Sequence, residues 1–167
     1  MAKFTLFIVF LALTGLAARA DLSRGDTKES LRGLTGIYVV AQVVNQQIEG
    51  VATNDVLALA KTELLNAGIL VNAVPNKGNG NASLSVTVAA IKQPQLGVYV
   101  FPVEAAVTQD VQLARQPGLP GISAETWRRT TQGITVPARI DVIQKTLKQL
   151  VDAFVADYRT VNPGTGN

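Results

Sequence analysis

The chain has 167 residues, 47% of them hydrophobic, a formal net charge of +3, and neither cysteine nor histidine. The missing residues exclude disulfides, Ser-His-Asp and Cys-His catalysis, and zinc or haem held by histidine. Any catalysis near neutral pH would need perturbed carboxylates or lysines.

The first twenty residues, MAKFTLFIVFLALTGLAARA, read as an export signal. Lys3 gives a positive start, Phe4 to Ala17 an apolar run, and Ala18-Arg19-Ala20 a small-x-small cleavage pattern. In an extended segment Ala18 and Ala20 point the same way, where a peptidase admits only small groups. About fourteen apolar residues fall short of the ~20 that span a bilayer as a helix. No stable membrane span is therefore expected after cleavage. With no cysteine near the cut, a lipid anchor on a mature N-terminal cysteine is not expected. Cleavage removes Lys3 and Arg19 and no acid, so 15 basic and 12 acidic side chains become 13 and 12, a net charge of +1. That is too little for a phosphate-neutralising surface, and nucleic-acid binding is not expected.

The mature 147 residues suffice for one core and not for two substantial domains. Residues 21–35 are polar and mixed in charge, a flexible lead-in docking near Leu31 and Leu34. A single domain is expected over residues 36–161. It opens with Ile37 to Ile48, β-branched and apolar on both faces at first, as an inner strand is. A helix follows, capped by Thr53 or Asn54, with Leu57, Ala60, Leu64 and Ala67 on one face and Gly68 as its stop. Ile69 to Val71 returns to extended structure as a weak strand.

Asn76 to Asn81 is a turn-rich loop, and it lacks the spacing and following helix of a phosphate loop. Asn81-Ala82-Ser83 is a formal glycosylation sequon, relevant only to a eukaryotic secretory pathway. Leu84, Val86 and Val88 alternate with Ser83, Ser85 and Thr87, a half-buried strand. After a turn at Lys92 to Gln95, alternation from Tyr99 to Leu113 predicts one long strand, bent or bulged near Pro102. Gln116 to Gly121 reverses the chain. Ile122 to Val136 then pairs back, with a bend at Gly133. Pro137 opens a long helix whose core stripe is Ile140, Ile143, Leu147, Leu150, Phe154 and Tyr158. Lys145, Lys148, Asp152 and Asp157 take other positions. Residues 162–167 form a flexible tail. The order β-α-β-β-β-α predicts an α+β two-layer sandwich, a mostly antiparallel or mixed sheet with two helices on one face.

Leu31-Arg32-Gly33-Leu34, Leu65 to Ile69, Thr126-Trp127 and Val151 to Pro163 resemble a family of uncharacterised exported bacterial proteins. The resemblance implies a bacterial envelope setting, periplasmic or secreted. The element order is similar to that of the outer-membrane lipoprotein that assists lipopolysaccharide assembly. It is also similar to that of the N-terminal domain of the Tol–Pal translocation protein. No site residue is implied by either.

The most unusual local cluster is Trp127-Arg128-Arg129, which holds the single tryptophan. It reads either as an anchor for an anionic or protein partner or as a tryptophan packed on the sheet between solvated neighbours. In a strand Trp127 and Arg129 share a face and Arg128 takes the other. Arg115, near the preceding turn, would complete a phosphate or carboxylate site if pairing brought it to Arg128. Glu104 and Asp110, ~20 Å apart at ~3.3 Å per residue, are too distant for glycoside hydrolysis. No calcium-type acidic run occurs, and no metal or cofactor is expected. The sequence therefore predicts a non-enzymatic exported envelope protein, an accessory or assembly factor that binds a protein or an envelope component. A periplasmic small-ligand or sugar-binding module and an oligomer-forming structural protein are the alternatives.

Overall fold

The computed structural model describes residues 24–44, 50–75, 81–118 and 120–164. The export segment with Ala18 and Ala20, the loop at 76–80 and the last three residues lie outside them. The fold is α+β, and among the described residues it is a mixed six-stranded sheet with three α-helices. The elements run α1 (Arg24–Glu29), β1 (Gly36–Val44), α2 (Thr53–Asn66), β2 (Val71–Asn72), β3 (Asn81–Ala89), β4 (Ile91–Gln93), β5 (Val98–Val111), β6 (Ile122–Thr135) and α3 (Asp141–Val161).

The strands order as β2-β1-β3-β5-β6, with β4 beside β3 on the same edge of β5. β1 runs parallel to β2 and β3, and β5 is antiparallel to β3, β4 and β6. Period-two alternation sends one set of strand side chains toward the helices. A representative row crosses the sheet through Val39, Leu84, Val107 and Trp127, all buried. The stripe of α3 covers this face with Ile143, Leu147, Leu150, Phe154 and Tyr158, and α2 adds Val56, Ala60 and Leu64.

Among the described residues no helix covers the opposite face. There the row Val40, Ser85, Ala106 and Arg128 crosses the same four strands. Val40 is 44% exposed and Gln42 is exposed, so β1 is not an apolar inner strand on both faces. Its β-branched residues reflect strand propensity as well as burial.

Other expectations change locally. The lead-in is not wholly unstructured, for it holds α1 and then buries Leu31 and Leu34. Both stay there because the far end of α3 grips the backbone between them. Tyr158 Oη donates to the Leu34 carbonyl (2.9 Å), Asn162 Nδ2 to the Leu31 carbonyl (2.8 Å), and Gly33 N–H to Asn162 Oδ1 (2.7 Å). Gly33 has φ +75°, a conformation that favours glycine. Ala52, without a side-chain cap, occupies the N-cap of α2. Pro137 to Arg139 make a 3-10 turn, and α3 itself starts at Asp141.

The long strand has 14 residues and no irregularity at Pro102. Pro102 lies between the β3 register, ending at Val103, and the β4 register, starting at Val100. No strand on that side of β5 needs the N–H that proline lacks. The register shifts instead at Val107/Thr108, where Thr126 is the extra residue of β6. Its hydroxyl accepts from Gln109 Nε2 (2.6 Å), which also reaches the Ser30 carbonyl (2.9 Å). Ser30 Oγ donates in turn to the Thr126 carbonyl (3.0 Å), tying the end of α1 to the sheet at the bulge.

Candidate functional site

Trp127 is 2% exposed, with its ring edge-on to Phe154 at a centroid distance of 5.1 Å. It is therefore a core residue and not an anchor offered to a partner. Burial requires a partner for the indole N–H, and Trp127 Nε1 donates to Asp157 Oδ2 at 3.1 Å. Asp157 is itself 5% exposed. A buried carboxylate needs compensating charge. Arg129, on the same strand face as Trp127, supplies it through Nη2 at 2.7 Å, and Lys28 of α1 lies 3.6 Å from Oδ1. Three elements thus converge on one carboxylate.

Asp157 was expected away from the core stripe, with the solvated charges of α3. The steps Leu150, Phe154, Asp157, Val161 are 4, 3 and 4, so helical geometry places it on the buried side. An acid at a stripe position was the available signal. Lys28 carried no signal, because its approach depends on how α1 docks.

A groove of about 440 Å3 opens beside this cluster, between β6 and α3. Its lining includes Thr27, Arg129, Thr131, Thr146, Gln149 and Asp157, over Leu150 and Ala153. Hydroxyl, amide and charged groups thus surround a small apolar strip.

Arg128 points to the uncovered face, as strand alternation predicts. It pairs with Glu125 at 2.6 Å and approaches Glu104 at 3.7 Å. The Glu125 hydrogen bond, then the charges of Glu104 and Glu125, raise the guanidinium above its ordinary pKa. Arg115 does not join it. Arg115 is exposed in the turn beyond Val111, whereas Arg128 is paired opposite Ala106. Five strand residues from Ala106 to Val111 at ~3.3 Å each already separate them by ~16 Å. The expected Arg115–Arg128 anion site does not form.

The uncovered face also carries an apolar row across three strands: Ile91, Val100 and Ile134 are cross-strand partners. Ile91 is 49% exposed and Ile134 68%. Among the described residues no three metal-ligating side chains converge, and no helix is long and apolar enough to cross a membrane.

No family model and no curated protein matches the chain. The resemblance carried by its short motifs stands without a sequence match. Solved structures of similar fold include a dodecamer of a PelC variant from Paraburkholderia phytofirmans, at 15% identity and TM-score 0.45, covering 76% of this chain and 89% of that one. A minor lipoprotein from Acinetobacter baumannii aligns at 8% identity and TM-score 0.40, covering 78% and 95%. An uncharacterized protein aligns at 17% identity and TM-score 0.37, with the same coverage. At scores this low none of them carries an argument about function.

Proposed function

We propose that this is a non-enzymatic exported protein of the cell envelope, an accessory or assembly factor that binds another protein or an envelope component. The uncovered sheet face is the observation that carries the binding reading. Its apolar row, with Ile91 and Ile134 exposed on either side of the half-buried Val100, lies on the same face as the Glu104–Arg128–Glu125 charges. An apolar centre with polar neighbours is the composition of a protein-binding patch. The first twenty residues support export. The lack of histidine and cysteine supports binding over catalysis. So does the engagement of Asp157, whose carboxylate is taken up by hydrogen bonds from Arg129 and Trp127.

Cell fractionation and capture from envelope extracts test this reading. The wild type is expected in the envelope fraction with a specific partner, and Ile134→Asp is expected to lose the partner while staying folded. A cytoplasmic wild type, or one that captures nothing specific, overturns it.

The groove beside Asp157 favours a second reading, a small-ligand module. It offers charged, hydroxyl and amide groups within one concavity, as ligand sites do.

A further inference from the structure

We infer that the groove between β6 and α3 binds a carboxylated polyhydroxy compound of the sugar-acid class. This rests on the small-ligand reading and names its chemistry. Arg129 is the reader. Its side chain is 23% exposed, and it commits Nη2 to Asp157 at 2.7 Å. A guanidinium carries five N–H donors in a rigid fork, and Arg129 has no other side-chain partner among the described residues. The unused donors belong to a residue that lines the groove.

Asp157 is a positioning residue. Held by Trp127 Nε1 and by Lys28, it anchors the guanidinium through Nη2. Two cations against one carboxylate leave one positive charge in excess. A planar carboxylate on the ligand matches the Arg129 fork in both charge and shape.

The remaining walls specify hydroxyl groups. Thr146 Oγ1 donates to the Val142 carbonyl at 2.8 Å, which leaves its oxygen free to accept from a ligand O–H. Thr27, Thr131 and Gln149 add further donors and acceptors. Leu150 and Ala153 offer an apolar strip for the C–H face of a sugar ring. Trp127 is too buried for the ring to stack on it, but as the single tryptophan it reports on the site.

The test is titration of the folded protein with D-glucuronate, D-glucose and acetate, followed by calorimetry and by Trp127 emission. Saturable glucuronate binding is expected, about tenfold or more tighter than glucose or acetate, the scale of one charge-assisted hydrogen bond. Arg129→Lys keeps the charge and loses the fork, and is expected to weaken glucuronate about tenfold. Gln149→Leu alters an exposed wall, and is expected to weaken it without moving the melting temperature. Absence of saturable binding by all three probes overturns both the inference and the small-ligand reading. Glucose binding as tightly as glucuronate overturns the acid requirement and leaves the small-ligand reading standing. Acetate binding as tightly overturns the polyol requirement. Wild-type affinity in both variants overturns the location.

Discussion

Phe101 stands directly across from Gly133, and its ring fills the space a side chain at 133 would occupy. A Cβ there would lie 2.5 Å from Phe101 Cζ. The glycine thus makes room for a core aromatic and does not bend the strand. Gly133→Ala would force that fully buried ring aside and is expected to cost about 1–3 kcal/mol. Urea unfolding measures this. Adding Phe101→Leu should make the alanine cheaper than it is in the wild type.

Asp157 is a buried acid with three polar partners. Asp157→Ala would strand Arg129, Lys28 and the Trp127 indole N–H, and is expected to destabilise by about 3–5 kcal/mol. Asp157→Asn keeps the shape and one acceptor and should cost less. Because the chain has one tryptophan, emission during urea unfolding reads both variants without a label.

Periodicity made much of this readable from the sequence. Alternation from Leu84 to Val88 and from Tyr99 to Val107 placed two strands and their buried faces, and the stripe of α3 marked its core side. What periodicity could not show was which strand face lacks a covering layer. Val40 and Ile134 have strand propensity whether or not something covers them. The site was readable only in half. Trp127 and Arg129 stood out as unusual neighbours, but their partners Asp157 and Lys28 are remote in the chain. Tertiary packing alone brings them together.

Tyr158→Phe removes one hydroxyl and nothing else from the contact with the Leu34 carbonyl. The expected cost is about 0.5–1.5 kcal/mol. Hydrogen exchange should quicken at amides 33–35 before it does in β3 or β5 if this bond secures the segment.

The acid limb of stability has an assigned contributor at the start of α3. Lys145 and then Arg139 hold the Asp141 carboxyl below its ordinary pKa by hydrogen bonding to its charged form. A lowered folded pKa gives stability that is present above the unfolded value of about 4 and is lost as pH falls through the folded one. The difference between wild type and Asp141→Asn should be constant from pH 5 to 8 and shrink below about pH 4. Urea midpoints across that range check the sign.

Lys148 is the mirror case. Glu63 and then Asp152 raise its pKa by hydrogen bonding to the ammonium. A raised folded pKa gives stability that is full below the unfolded value of about 10.4 and fades as pH climbs through the folded one. Lys148→Met should therefore differ most from wild type at neutral pH and converge with it in strong base.

The grip of Tyr158 and Asn162 on Leu31, Gly33 and Leu34 joins residues about 130 positions apart. The two ends of the domain lock each other, so neither is finished without the other. A nascent chain emerging from a ribosome cannot make that closure until Asn162 is free. Contacts of such long separation form late and slowly. On the proposed export route, a translocation channel would meet a chain whose final latch has not yet been set, and the latch would be thrown only after the last helical turn has cleared the channel.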